Sequence, residues 1–479
     1  MYDSKKNYVA LCNSCYFGDK WNALDYAQEF DFGRSFFEQF YELQQKVPKL
    51  NLQAKNCVNS DYINIGMENK NCYLLFGSGM NEDCLYSTQL YECKNCVDCF
   101  YTDHSEMCYE VVDCVRCYKT AFSVLSQNCD NSYFLFDCKR CSDCVGCFNL
   151  RDKKYHIFNK PVSKAEYEAF KNEKLYNLFL EKDKTIKKVL SGAVHKYMIS
   201  ENSENVTGNF IYNSKNAESC FNIAGCEDVN HLTWCFETKN SGDSMGTSFG
   251  ELYYECTNSD KCFNSRFCMN CLMATDCCYC DSCNSCKNLF GCVGVQHKDY
   301  CIMNKRYSKE EYVNLKNKII DHMKSNGEWG EFFPCKFSSF AYNETVAGEY
   351  FPLTKEDVEK NSWNWRESDN TDHYDATGYK IPDNIKEVKN DICEQILFCE
   401  KSEKPYKIIS QELKFYREME LPVPRLSPHQ RHLNRMKLRN PRKLFNRKCD
   451  KCSGNIKTTY SPDRSEKIYC EKCYLEEVY

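Results

Sequence analysis

The chain has 479 residues, 37 cysteines and a formal net charge of −5. The length allows two or three domains, and the slightly acidic balance excludes a protein that binds nucleic acid through its overall charge. No window of about 18 apolar residues occurs, so the sequence predicts no membrane segment and a soluble protein of the cytoplasm, or of a virion if the source is a virus. An odd number of cysteines without an export signal favours reduced thiols over disulfides.

The N-terminal segment contains two cysteines, Cys12 and Cys15, at the spacing of a zinc knuckle. A knuckle supplies two of the four thiolates that a structural zinc site needs, and no second pair follows nearby. Cys12 and Cys15 are therefore candidate metal ligands in half of a site. The aromatic residues between Gly18 and Pro48 predict a helix and a turn that pack against the first repeat described next.

The stretch from Cys57 to Leu150 has a period of three residues. Every third residue from Cys57 gives 32 positions that hold 14 cysteines and no charged residue, while the charged residues occupy the other two registers. An α-helix repeats every 3.6 residues and a strand every 2, so neither explains this period. A narrow β-solenoid explains it, because each short edge contributes one small inward side chain and stacked coils share a core. The sequence predicts a mainly β fold built on a cysteine-lined β-solenoid.

Aromatic residues in the outward registers add a second regularity. Tyr91, Phe100, Tyr109 and Tyr118 are nine residues apart. We expect these rings to stack as an external ladder, with a coil length that is a multiple of three.

A second copy of the repeat lies 145 residues further along, from Asn205 to Val295. Its register again contains no charged residue, and Cys278 is its one cysteine out of register. Each copy ends in Asn-Lys and then Ser-x-x-Glu, which is the pattern of a helix capping box. We therefore expect a covering helix after each copy, from Ser163 to about Leu190 and from Ser308 to about Met323.

These features divide the chain into six predicted segments. The predicted segments are a half zinc knuckle with a helical cap (1–50), the first solenoid copy (51–160), a helix and linker (161–204), the second copy (205–307), a helix with an irregular connection (308–390), and a basic segment with a zinc ribbon (391–479).

The C-terminal segment carries the strongest site motif. Two Cys-x-x-Cys pairs, Cys449 with Cys452 and Cys470 with Cys473, are separated by 17 residues. Two knuckles at this separation supply four thiolates for a closed tetrahedral zinc site. We predict one structural zinc ion here.

A basic segment precedes these cysteines. Residues 425–448 hold nine Lys or Arg and no Asp or Glu. Such a segment is either a solvated basic surface or a face that binds nucleic acid or phosphate. The candidate nucleic-acid contacts are Arg431, Arg435, Lys437, Arg439, Arg442 and Lys443.

The cysteines of the repeats fit core packing best. Cys138, Cys141, Cys144 and Cys147 resemble a ferredoxin run, but such a run needs a three-residue last gap followed by proline. They also alternate in register with Ser, Thr, Leu and Val, as core positions do. Scattered zinc sites and an iron–sulfur cluster stay open as alternatives.

Two common catalytic signatures do not accompany these features. A phosphate-binding glycine loop and HExxH are absent from the sequence. We therefore predict a non-catalytic zinc-binding scaffold or binding module whose ribbon and basic segment contact a partner, either nucleic acid or protein. An enzyme that acts in an external groove of the solenoid and a structural or virion-associated protein are the alternatives.

Four segments resemble an uncharacterised family of cysteine-repeat, zinc-ribbon proteins. They read PYKIISQELKFYREMELPVPRLSPHQRHLNRMKLRNPRKLFNRKCDKC (405–452), YSPDRSEKIYCEKCY (460–474), DKWNALDYAQEFDFGRSFFEQF (19–40) and AYNETVAGEYFPLT (341–354). Members occur mainly in candidate-phyla bacteria and giant viruses, and some are mislabelled as CoA-transferases. The resemblance implies no established activity.

This chain departs from the family pattern at further cysteine pairs. Relatives place one pair at the positions of Cys399 and Ser402 and another at those of Ser427 and Gln430, but three of these four cysteines are absent here. Relatives also have a pair upstream of the one matching Cys12. The resemblance therefore implies one complete four-cysteine site in this chain.

Overall fold

Parallel pairing between residues twelve positions apart organises the first repeat. The computed structural model describes residues 8–238, 245–250, 275–367 and 378–479, and the chain is mainly sheet with several helices. Parallel bridges join Val58 to Lys70 and continue in the same way to Lys139 with Arg151. We call each twelve-residue stretch that pairs with the next one a rung.

The elements are numbered in chain order. The strands are β1 (Ala10–Leu11), β2 (Lys49–Leu50), β3 (Ala54–Lys55), β4 (Asn64–Met67), β5 (Tyr73–Gly79), β6 (Leu85–Tyr91), β7 (Phe100–Asp103), β8 (Val112–Val115), β9 (Tyr118–Ala121), β10 (Asp130–Tyr133), β11 (Ser142–Val145), β12 (Lys154–Ile157), β13 (Lys160–Pro161), β14 (Val194–Lys196), β15 (Ser200–Glu201), β16 (Glu204–Tyr212), β17 (Lys215–Ala224), β18 (Glu227–Asn230), β19 (Thr233–Thr238), β20 (Met245–Gly250), β21 (Thr275–Cys278), β22 (Lys287–Phe290), β23 (Asp299–Ile302), β24 (Lys305–Arg306), β25 (Leu397–Phe398), β26 (Pro405–Tyr406), β27 (Phe445–Lys448), β28 (Asn455–Thr458) and β29 (Lys467–Tyr469). The helices are α1 (Asn13–Tyr16), α2 (Phe36–Lys46), α3 (Lys164–Leu180), α4 (Lys182–Gly192), α5 (Lys309–Ser325), α6 (Val346–Tyr350), α7 (Lys355–Lys360), α8 (Ser410–Glu418), α9 (Pro428–Met436) and α10 (Glu471–Val478).

A left-handed residue at every third position sets the length of each edge of the rung. Asn56, Asn59, Tyr62 and Ile65 have φ angles of 53°, 46°, 56° and 52°, and the pattern continues along the repeat. Each such residue turns the chain after two extended residues, so pairing partners twelve residues apart correspond to four three-residue edges. Asparagine and aspartate adopt this conformation more readily than other non-glycine residues, which explains why many of them immediately precede an inward position.

The residue after each left-handed residue points into the core. Cys84, Cys96 and Cys108 are 0% exposed and belong to one cluster of buried cysteines and small apolar residues. Their thiols donate to backbone carbonyls; the Sγ of Cys84 lies 3.3 Å from the oxygen of Glu82 and 3.5 Å from that of Cys93. The prediction that one register in three is buried is confirmed for these cysteines.

The predicted aromatic ladder at nine-residue spacing is not formed. Tyr118 is exposed, whereas Phe100 and Tyr109 are buried. Because neighbouring rungs pair at an interval of twelve, rings nine residues apart lie on different edges. Rings twelve residues apart do stack, as shown by Phe122 and Phe134, whose centroids are 4.9 Å apart with 14° between the ring planes.

The second repeat pairs in the same way where it is described. Lys287 pairs in parallel with Thr275 on one side and with Asp299 on the other. Near its start the register shifts between Val206 and Gly208, and the φ of 140° at Gly208 suits only glycine. Residues 239–244 and 251–274, which include several predicted core cysteines, lie outside the described residues.

Both predicted capping boxes are present. Ser163 accepts a hydrogen bond from the amide of Glu166, and the Glu166 carboxylate accepts one from the Ser163 amide; Ser308 and Glu311 make the same pair of bonds. The first predicted helix is divided at Glu181 into α3 and α4, while α5 forms one helix. Strands β13 and β24 turn back antiparallel onto β12 and β23, so each repeat ends in the same hairpin and helix.

The N-terminal segment packs against the second repeat. The ring of Phe36 in α2 lies 5.1 Å from that of Tyr279, and the Gln44 amide donates to Asp281 at 2.8 Å. The prediction that Gly18 to Pro48 covers the first coil is therefore wrong. The apolar face of α2 instead completes the core at the end of the second repeat.

Helices α8 and α9 lie on the first repeat. Tyr109, Phe415 and Tyr416 belong to one apolar cluster, and the centroids of the two tyrosine rings are 5.5 Å apart. This docking places the predicted basic segment against the rungs. Among the described residues, no helix is both long enough and apolar enough to cross a membrane.

Candidate metal centre

The four predicted C-terminal ligands come together in space. The Sγ atoms of Cys449, Cys452, Cys470 and Cys473 all lie within 4.8 Å of one another, and those of Cys452 and Cys470 are 3.8 Å apart. The first pair lies in the turn between strands β27 and β28, and the second pair lies where β29 meets α10. This arrangement can hold one metal ion.

Backbone hydrogen bonds shape the first turn around its thiols. The Cys449 amide donates to the oxygen of Gly454 at 2.8 Å, and the Ser453 amide donates to the oxygen of Cys449 at 2.8 Å. Ser453 is left-handed, with φ of 61°, which lets the chain reverse direction within a few residues. A Cβ at Gly454 would lie 3.4 Å from the Sγ of Cys452, so a side chain here would be in contact with the thiol.

Amide donors also favour the thiolate form. The Cys470 amide donates to the Sγ of Cys449 at 3.3 Å. Burial acts to raise the pKa of Cys449, but this amide and those of Cys452 and Lys451 outweigh burial and lower the pKa to about 6. A thiolate is the form that binds metal, so the turn prepares Cys449 as a ligand.

The ribbon is joined closely to the rest of the protein. Strand β29 pairs in parallel with β14, and the Tyr474 hydroxyl contacts Asp137 of the first repeat. Arg151 donates to the Tyr474 hydroxyl at 2.6 Å and pairs with Asp137 at 3.0 Å. The metal site therefore lies in a ribbon docked beside the rungs.

The N-terminal cysteines form no comparable group. Cys12 is exposed, Cys15 is half-buried, and the Sγ of Cys12 contacts the hydroxyl of Ser14 at 3.2 Å. Over the described ranges, the C-terminal cysteines are the one group of three or more potential ligands close enough to share an ion. A metal at Cys12 and Cys15 stays a prediction.

The cysteines inside the rungs are arranged differently. In the described part of the chain, none of them belongs to a group of three or more potential ligands close enough to share an ion. Burial raises the pKa of Cys84, Cys96 and Cys99 well above that of a free thiol, which keeps these groups neutral. Neutral thiols are poor ligands and poor nucleophiles.

A turn of the same shape surrounds Cys399. Its amide donates to the oxygen of Lys404 at 3.0 Å, and the Glu403 amide donates to the oxygen of Cys399 at 2.8 Å, as in the Cys449 turn. Burial acts to raise the pKa of Cys399, but hydrogen bonds from Ser402 and the Ser427 amide lower it to about 7. This turn contains a single cysteine, and within the described residues Cys399 belongs to no group of ligands that could share a metal ion.

Two of the arginines predicted to bind nucleic acid are buried. The Arg431 guanidinium lies 2.9 Å from Asp98 and 3.0 Å from Glu412, and that of Arg435 lies 2.9 Å from Asp98. The side chains of Arg431 and Arg435 are 0% and 2% exposed. The prediction that these two arginines belong to a nucleic-acid face is wrong, because they pair with buried carboxylates outside the basic segment.

Arg439 and Arg442 are also engaged inside the protein. Arg439 pairs with Asp113 at 2.8 Å and its side chain is 4% exposed. Burial raises the pKa of Asp113 to about 6, although Arg439 acts in the opposite direction. The Arg442 guanidinium lies 3.8 Å from the centre of the Tyr350 ring. The predicted phosphate contact is therefore wrong for Arg439, and Arg442 stacks on an aromatic ring.

Two of the predicted contacts are exposed lysines. Lys437 and Lys443, both predicted contacts, are exposed. The β27–β28 hairpin also exposes Lys448 and Lys457, which point to the same face because Lys448 pairs with Asn455, two residues before Lys457. Lys457 was not among the predicted contacts, because its position on this face depends on the hairpin register.

Comparisons with known proteins add little to this geometry. No family model matches the chain, and no curated protein matches it. Among solved structures, the chain is similar to a crystal structure described as an acetyltransferase from Desulfovibrio desulfuricans G20, with 10% identity, a TM-score of 0.12, and coverage of 57% of this chain and 82% of that chain. A likeness of this size defines neither the fold nor an activity.

Proposed function

We propose that this protein is a non-catalytic scaffold in which a duplicated β-solenoid of twelve-residue coils is joined to a structural zinc ribbon. The observation that carries the proposal is the group of four C-terminal Sγ atoms within 4.8 Å of one another. Parallel bridges twelve residues apart and the fully buried cysteines support the solenoid. Stacked coils of this kind form a rigid body with long outer faces suited to binding.

Zinc is the ion that fits the site best. Four thiolates from two turns leave no ligand position open, which is the arrangement of a structural zinc ion and not of a catalytic one. Cys449 and Cys473 are buried, so the ion would be partly shielded from solvent. Its role would be to hold the hairpin and α10 together.

A nucleic acid is the partner that the ribbon surface favours. Lys443, Lys448 and Lys457 are exposed, and among the described residues no carboxylate makes a salt bridge with any of them. Lys448 and Lys457 lie on one face of the hairpin. Exposed lysines attract phosphates without reading sequence. Asn446 and Asn455 lie on the same face and add hydrogen-bond donors.

A binding assay with labelled single-stranded RNA and duplex DNA tests this surface. We expect binding that weakens as salt increases, and a loss of about tenfold or more in affinity when the three lysines become alanine. The matched control changes three exposed lysines of α3 and α4 to alanine and leaves affinity unchanged. The test variant is K443A/K448A/K457A, and the control is K164A/K174A/K187A.

Two results would count against the nucleic-acid surface. Absence of binding at low salt would contradict nucleic acid as the partner. Equal affinity of the test variant and the parent would contradict a role for the three lysines. The zinc site is measured separately, so its presence or absence does not decide this assay.

A further inference from the structure

Three of the four ends of the repeats are covered by the chain itself. Strands β13 and β24 fold back onto the last strands of the two repeats. The ribbon lies against the start of the second repeat, where the Thr458 hydroxyl donates to the oxygen of Tyr197 at 2.6 Å. Strand β3, at the start of the first repeat, pairs with β4 on one side and with no other strand among the described residues.

The backbone of this first rung has free donors. In the next rung, the amides of Asn71 and Leu74 donate to the oxygens of Val58 and Asp61 at 3.0 and 2.9 Å. The corresponding amides of the first rung belong to Asn59 and Tyr62, and within the described ranges they have no acceptor. An edge of this kind is a template for pairing with another strand.

The same end exposes apolar surface. Val58, Tyr62, Ile65 and Met67 are 61%, 47%, 43% and 48% exposed. Cys57, which occupies an inward position, is half-buried, whereas the residue twelve positions later, Asn69, is 0% exposed. Among the described residues the core is therefore open at this end, and exposed apolar side chains beside an unpaired edge are typical of an interface.

We propose that a second copy of this chain covers this end and that the two first rungs meet about a two-fold axis. Lys55 and Asp61 are exposed on opposite edges of the rung, each one position after an inward residue. A two-fold axis through the edge that carries Val58 places Lys55 of one copy opposite Asp61 of the other. Two Lys55–Asp61 pairs then form across the interface, one on each side of the axis, and the Val58 side chains of the two copies meet at the axis.

The covered ends limit the assembly to two copies. Head-to-tail stacking needs a free edge at both ends of a repeat, and β13 occupies the other end. The pairing is therefore closed and isologous. About twelve residues per copy form a smaller contact than a standard interface of about 20–30 residues a side, so we expect dissociation in the micromolar range.

Sedimentation of the full chain across about 1 to 100 μM tests this dimer. We expect the parent to self-associate, and Lys55→Asp or Asp61→Lys alone to weaken association at least about tenfold by placing like charges together. The double variant K55D/D61K restores the opposite pairing and is expected to recover association. Lys164→Asp, on α3, is the matched control and leaves association unchanged.

A second variant addresses the apolar contact. Val58→Lys is expected to abolish self-association, whereas Val313→Lys, at a position 44% exposed on α5, keeps it. Circular dichroism checks that each variant is folded. A parent that stays monomeric over the whole concentration range, or a dimer that the single charge changes leave intact, would overturn the proposal.

Discussion

At the scale of single residues, burial decides what the basic segment does. Its arginines were predicted to be surface charge, since residues 425–448 contain no acidic residue. Arg435 donates to Asp98, which is 337 residues away along the chain. A pattern confined to one segment does not contain such a partner, so this pairing could not be predicted from the sequence.

Removing one member of this buried network is expected to be costly. Arg431→Ala leaves Glu412 buried without a guanidinium partner and leaves Asp98 with Arg435 alone, so we predict a loss of about 3–5 kcal/mol in the free energy of unfolding. Urea unfolding measures this loss. Lys437→Ala, at an exposed position of the same segment, is the control and is expected to change stability by less than about 0.5 kcal/mol. Equal effects of the two substitutions would contradict the buried network.

At the scale of elements, a histidine links α4 and β14 to the ribbon. His195 is 3% exposed, and its ring nitrogens lie 3.1 Å from the Tyr460 hydroxyl and 3.1 Å from the oxygen of Leu190. Burial lowers the pKa of His195 below its usual value of 6.5. The folded protein therefore keeps this imidazole neutral at a pH where the unfolded chain begins to take up a proton.

The sign of the resulting pH dependence follows from proton binding. Above about pH 6.5, His195 is neutral in both the folded and the unfolded chain, and its contribution to the free energy of unfolding is complete. At lower pH the unfolded chain binds more protons than the folded protein, so stability decreases. We predict that the free energy of unfolding falls from about pH 7 to about pH 5, and that His195→Gln makes this fall smaller. The exposed His231 provides the control, His231→Gln. An unchanged pH profile in His195→Gln would show that His195 does not contribute.

Some of these elements could be predicted from local patterns in the sequence. The period of three and the two Ser-x-x-Glu motifs predicted the buried cysteines and both capping boxes, because these depend on residues close together in the chain. The rung length did not follow from the period alone. The positions of the turns were available in part, since Asn and Asp recur immediately before the inward residues.

At the scale of the whole molecule, the thiols fall into two chemical groups. Most of the described rung thiols are buried and bonded to backbone carbonyls, whereas the four of the ribbon share one small volume, and Cys449 among them receives an amide donor. The spacing of the cysteine pairs predicted the second group. The placement of the N-terminal helix on the second repeat was not predictable, since it depends on a long-range match between apolar faces.

Metal content of the purified full chain tests this division most directly. The account predicts about one zinc ion per chain, lost in Cys452→Ser and retained in Cys108→Ser, whose thiol lies within the rungs. Several zinc ions per chain, or iron with visible absorbance, would mean that the rung thiols are ligands and would contradict the account.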